Sequence, residues 1–286
     1  MIHRGDPWWE ELLQLYAGQT PDASLLLQKL LGQGSEEELR EDLFYTNLIL
    51  AGRCLAARPT VRQISLRQEV TSRLFDLLTT TPYALTREKV ANTLVAIGGV
   101  EVNTSLLELL SDQDLSIFIR KCSAQALGQL GDRSVVPELL RLLSDQHLDS
   151  TVRQRIALAF GELSDRSVIP ELIRLLSDQD LSSYVRWSIA HALGKLGDRL
   201  AIPDLLKLLS DQRLDLDVFR EISIIFEQLA YDEATVKAFA ILMQTLTVSA
   251  YKNIIHRALW AISLQMRVRV RVADGSAGKQ VEIVKW

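Results

Sequence analysis

The chain has 286 residues, of which 48% are hydrophobic, 24% charged and only 6% aromatic, and its net charge is −4. This leucine-rich mix is that of a well-packed soluble protein and favours helices over strands. The slight acidity argues against a general nucleic-acid role, because phosphate binding needs a concentrated basic face.

At the N-terminus, Asp6, Glu10 and Glu11 interrupt the apolar run that a signal peptide would need. No stretch approaches the ~18–20 apolar residues of a membrane span. The two cysteines, Cys54 and Cys122, lie outside any metal-ligand spacing and read as small apolar residues in a reducing compartment. The expected location is therefore cytoplasmic, without a membrane partner. Trp8 and Trp9 open an amphipathic helix with Leu12, Leu13 and Tyr16 and read as core or capping aromatics. A membrane-surface helix would carry Lys or Arg where this one has Glu10 and Glu11. Residues 1–65 are assigned to an N-terminal helical capping region. Within it, Gly32 and Gly34 fail as a dinucleotide fingerprint, since Glu37 stands at the third glycine position.

Residues 66–266 are read as a repeat array, clearest over 99–230. Ser-Asp-Gln begins at Ser111, Ser144, Ser177 and Ser210, each 33 residues after the last. Pro137, Pro170 and Pro203 keep that period, as do Asp132, Asp165 and Asp198, and Arg120, Arg153 and Arg186. Each unit reads as two helices. In SVVPELLRLLSD, Val135, Leu139, Leu140, Leu142 and Leu143 make a broad apolar face, with Pro137 in the first turn, where a missing N–H costs least. The second helix, about Ser150 to Leu163, spaces Val152, Ile156, Ala159, Phe160 and Leu163 by three and four. Gly131 and Gly197 close their second helices; Ser164 replaces glycine between them, at a local cost. Such pairs enclose no core alone but bury a continuous one when stacked. The period extends back to Arg87 and forward to Tyr231-Asp232, as expected of degenerate capping units.

After Met266 the period switches to two. Arg267, Arg269 and Arg271 alternate with valines, ADGSAGK signals a turn, and Val281 and Ile283 begin a second run. Residues 267–286 are therefore a basic β-hairpin of net charge +3. A lone hairpin is marginal in water, so it must dock on the last helices or pair with something else. It is also the one segment that could attract nucleic acid, although basic edges equally discourage aggregation.

Chemistry is sparse. Gly275 to Gln280 lacks the first glycine and the hydroxyl of a phosphate-binding loop. His3, His147, His191 and His256 show no paired spacing for zinc, and no Ser/His/Asp set stands out. No catalytic residue, metal or cofactor is expected. The periodic aspartates read as caps or as partners of the recurring arginines, in a structural ladder whose ion pairs are each weak if exposed. The informative positions lie on the side of the second helices turned away from the apolar stripe. They are Lys121 and Gln125, then Gln154 and Leu158, then Trp187, His191 and Lys195, then Arg220. Trp187 and His191, one turn apart, form a candidate hot spot for a protein partner.

YVRWSIAHALGKLGDRLAIPDLLKLLSD resembles the HEAT-like repeats of phycobilisome lyase subunits, over roughly residues 85 to 230. DPWWEELLQLYAGQTPDASLLLQKLL, with NLILAGRCLAA behind it, is similar to the helical region before the repeats in NACHT-type STAND NTPases, whose repeats form a sensor arm. This chain lacks their NTPase module. The resemblances imply an all-α, curved α-solenoid of HEAT-type helix pairs, right-handed, with second helices lining the concave side and a short C-terminal β-hairpin. The expected function is a non-catalytic interaction scaffold or sensor arm; the alternative is a subunit of a phycobilin lyase or isomerase.

Overall fold

The computed structural model describes residues 7–32, 45–210, 214–229, 232–275 and 278–285. His3, Asp6, Gly34, Glu37, Asp211, Gln212, Tyr231, Ser276 and Ala277 lie outside them. The chain is an all-α solenoid ending in a two-stranded hairpin, and it divides into two compact units, Met1–Glu138 and Leu139–Trp286. The first unit holds α1 (Pro7–Gln19), α2 (Ser24–Leu30), α3 (Thr46–Ala56), α4 (Ile64–Thr80), α5 (Ala84–Ile97), α6 (Val100–Ser111) and α7 (Ile117–Leu130). Helix α8 (Val136–Ser144) spans the division. The second unit continues with α9 (Ser150–Leu163), α10 (Ile169–Leu176), α11 (Ser183–Leu196), α12 (Ile202–Leu209), α13 (Leu216–Leu229), α14 (Glu233–Thr245) and α15 (Ser249–Met266), then β1 (Val268–Gly275) and β2 (Gly278–Lys285).

Local chemistry sets each repeat. Ser116, Asp149 and Ser182 accept amide hydrogens at the N-termini of α7, α9 and α11, satisfying donors the helix itself leaves open. Gly131 (φ 69°) and Gly197 (φ 61°) end α7 and α11 in the left-handed region, and Ser164 is held there too at φ 53°. Asp132, Asp165 and Asp198 then accept from the amides of Ser134, Ser167 and Leu200. Each starts a single 3-10 turn that delivers the chain to the next first helix, whose second residue is the recurring proline. The hydrogen bonds from Ser134 hold the Asp132 carboxyl below its ordinary range.

Second helices stack on second helices: α5 on α7 in the first unit, and α9 on α11, α11 on α13 and α13 on α15 in the second. The stripe foreseen for α9 is the core, with Val152, Ile156, Ala159, Phe160 and Leu163 all buried. Close approach is built in at Gly161, where an added Cβ would lie 3.3 Å from Ala192 Cα on α11. Burial also pushes the Cys54 thiol in α3 up to about 12, which makes it inert.

Two expectations need correction. The arginine ladder holds only in part: Arg120, Arg153 and Arg186 are buried, and among the described residues Arg186 meets a turn aspartate whereas Arg120 turns to a backbone carbonyl. Arg120 Nε donates to the Leu110 carbonyl at 3.0 Å, and Arg87 Nη2 to that of Thr81 at 2.5 Å. Both thus serve the electronegative C-terminal end of the preceding first helix. Arg186 pairs with Asp215, the residue that precedes α13. Asp132, Asp165 and Asp198 are already engaged by their own turn amides. The second correction concerns α1. Trp8, Leu12 and Tyr16 are exposed, and Trp8 meets Trp9 edge to face at 5.0 Å. Helix α1 packs on α3, and it buries Ala17 completely.

The hairpin is antiparallel, with Val268 opposite Lys285 and Val272 opposite Val281. It does not stand alone: β1 packs on α14 and α15, and Val268 is 2% exposed.

Candidate functional site

A second helix stacked between two others buries its apolar stripe and must turn its remaining positions outward. In the second unit these positions lie on α9, α11 and α13. Gln154 and Leu158 are half-buried on α9; Trp187 and His191 are half-buried on α11 and Lys195 is exposed; Arg220 is exposed on α13. Lys121, half-buried, and Gln125, exposed, hold the equivalent places on α7 of the first unit. Lys121 Nζ stands 5.8 Å from the centre of the Phe118 ring, which is itself exposed.

Trp187 and His191 are brought together directly. Their rings stack at 5.4 Å between centroids with 17° between planes. One helical turn separates them, and that spacing places two side chains one above the other. His191 Nδ1 lies 2.8 Å from Glu221 Oε1 on α13, whose side chain is only 15% exposed. A carboxylate can only accept, so Nδ1 carries the proton. In the neutral ring Nε2 is then the acceptor. The pair is locked by one ring stack and one hydrogen bond, which reduces the rotamer entropy a ligand would otherwise have to remove.

Around this centre the surface is mixed. Leu158 and Ile224 occupy on α9 and α13 the repeat position that His191 occupies on α11. Arg220 is steadied by Asp217 at 2.9 Å, and the Lys195 stem covers Gly161. The ridge thus carries an apolar residue on α9 and α13, an aromatic pair on α11, and charged side chains at Lys195 and Arg220.

Sequence reading missed Glu221. Its repeat equivalents are Arg155 and Ser188, so the column has no shared chemistry to draw attention. Among the described residues no group of three His, Cys, Asp or Glu side chains comes together to hold a metal, and no helix is long and apolar enough to cross a membrane.

A family model for HEAT repeats matches residues 71–149 and 145–221. Comparison with curated proteins gives no match. Among solved structures, human deoxyhypusine hydroxylase in complex with glycerol is similar at 18% identity and a TM-score of 0.40, over 90% of this chain and 96% of that one. The complex of CpcE and CpcF of phycocyanin lyase from Nostoc sp. PCC7120 is similar at 18% identity and a TM-score of 0.35, over 74% of this chain and 94% of that one.

Proposed function

The chain belongs to the HEAT-repeat family, and from that premise we propose that it is a non-catalytic interaction module. It binds a protein partner through the outward side of its second helices, with Trp187 and His191 at the centre and Gln154, Leu158, Lys195 and Arg220 around them. Lys121 and Gln125 are proposed to serve the same role on α7 of the first unit, considered by itself. The observation that carries this reading is the Trp187–His191 stack fixed by Glu221, a preorganised aromatic pair with polar surroundings. The resemblance of the N-terminal segment to the helical region before the repeats in NACHT-type STAND NTPases favours a sensor-arm role within this class.

The test is photo-crosslinking from the exposed position 195, one turn beyond His191, with a crosslinker at the exposed face of α10 (Arg174) as the control. A partner captured from 195 and lost on Trp187→Ala supports the reading; equal capture from 174 removes it. The alternative, a lyase subunit acting on a bilin chromophore, rests on the resemblance of the repeat string. A titration with a linear tetrapyrrole that leaves its absorbance unchanged, alone and with a phycobiliprotein acceptor, ends that alternative.

A further inference from the structure

Four arginines share one column of the repeat: Arg87, Arg120, Arg153 and Arg186, each 33 residues after the last. Arg87 Nη2 donates to the Thr81 carbonyl, Arg120 Nε donates to that of Leu110, and Arg186 Nη2 pairs with the Asp215 carboxylate. Arg153 differs from all three. It is 8% exposed, and its Nε and Nη1 are buried without a protein acceptor among the described residues. A guanidinium does not lose its proton in a protein, so burying one without an acceptor is costly.

The following unit shows what Arg153 lacks. Asp215 stands 29 residues after Arg186, immediately before α13. Ser182 stands 29 residues after Arg153, as the N-cap of α11. Helix α9 packs on α11 as α11 packs on α13. Repeat equivalence therefore puts a hydroxyl before Arg153 where Arg186 has a carboxylate. Both residue types cap a helix well, but only aspartate brings the charge. The carboxylates of the turn before α11 do not substitute: Asp178 accepts the Asp180 amide hydrogen, and neither reaches Arg153 Nε or Nη1. Ser182 is half-buried and closes that turn, in which Ser177, Gln179 and Asp180 are exposed. Its Oγ accepts the Val185 amide hydrogen at 3.4 Å. A serine can acquire the missing charge by phosphorylation. The phosphate would lie at the electropositive end of α11 and beside a cation, and both favour it.

We propose that Ser182 is a phosphorylation site whose phosphate is held by Arg153. Ser182 Oγ attacks the terminal phosphorus of a nucleoside triphosphate bound by a protein kinase. The Oγ–P bond forms, the bridging P–O bond breaks, nucleoside diphosphate leaves, and the hydroxyl proton passes to a base of the kinase. The phosphate oxygens then accept from Arg153 and from the open amides that begin α11, which ties α9 to α11. The site does not depend on the Trp187 ridge.

The test uses the full chain with phosphoserine incorporated at position 182 by genetic code expansion, with and without Arg153→Met. With Arg153 present, phosphoserine is expected to raise the melting temperature by ~3 °C or more over serine. Its phosphorus resonance should titrate ~0.5 pH unit or more below that of the Arg153→Met chain, because the guanidinium favours the dianion. Removing a buried cation that has no acceptor should leave the fold intact, which circular dichroism checks. Should the methionine variant fail to fold, Arg153→Gln makes the same comparison. Ser182→Asp, which copies Asp215, should also raise the melting temperature, and only with Arg153 present. Mass spectrometry of the chain recovered from the cells that make it should find phosphate on Ser182. An equal gain with and without Arg153 would show a helix-end charge effect alone and overturns the proposal. So does a phosphate that lowers the melting temperature, or one that titrates alike in both chains. Phosphate confined to the adjacent Ser183, or absent from the recovered chain, equally overturns it.

Discussion

Helices α1 and α9 are both amphipathic in sequence, yet they end in opposite situations. Phe160 in α9 is 0% exposed, whereas Trp8 in α1 is 61% exposed, with Leu12, Leu15 and Tyr16 exposed beside it. An apolar stripe states which side of a helix can be buried. Neighbours decide whether it is. Helix α9 lies in the regular stack against α11, and its Gly161 allows near-contact with the α11 backbone. Helix α1 rests on α3, whose Ile49, Leu50, Cys54 and Leu55 are buried among α1, α2, α4 and α5. In a stack of helix pairs, burial therefore follows position in the array more than hydrophobicity of the segment.

This contrast can be broken at its strong end first. Phe160→Ala should cost ~3–5 kcal/mol, since it empties a fully enclosed site. Trp8→Ala, although it removes a larger ring, should stay within ~0.5 kcal/mol, because the ring is mostly in water already. Urea unfolding of both variants measures this; a Trp8 variant as unstable as the Phe160 variant would place α1 in the core.

Gly52→Ala comes next. An added Cβ there would sit 2.5 Å from Thr93 Cγ2 and 2.8 Å from Leu74 Cδ1, both on buried residues. Overpacking should cost ~1–3 kcal/mol, outweighing the ~1 kcal/mol that alanine gains over glycine as a helix former. A net gain in stability would mean that α3 can move away from α4 and α5. The smallest effect is Ser164→Gly. With φ at 53°, serine bears a strain that glycine does not, so a gain of up to ~1 kcal/mol is expected in thermal melting, and a loss would contradict that account.

Much of this was legible in advance where a column repeated. The 33-residue spacing of Pro137, Asp132 and Arg120 located the helix pairs, and the three-and-four spacing in α9 located the core. The period also singled out Trp187 and His191 as outward neighbours. What it left unread lies where chemistry does not repeat. Glu221 has arginine and serine as its repeat equivalents. Buried Arg120 is held by the Leu110 carbonyl at a helix end and buried Arg186 by Asp215, partners that the 33-residue columns do not record. Docking on the last helices was one of two alternatives the sequence left open for the hairpin; that choice, like the exposure of α1, is set by long-range packing, which local periodicity does not encode.

The central claim is that the Trp187 side of the second helices serves binding and the Phe160 side serves stability. Its most direct test is to measure melting temperature and affinity for the crosslinked partner in the same preparations of wild type, Trp187→Ala and Phe160→Ala. Trp187→Ala should weaken affinity some thirty-fold, equivalent to ~2 kcal/mol, while shifting the melting temperature by less than ~2 °C. Phe160→Ala should lower the melting temperature by ~6 °C or more, and its folded fraction should bind as wild type does. If Trp187→Ala melts like the core variant, or binds as tightly as wild type, the ridge is packing surface and the claim is wrong.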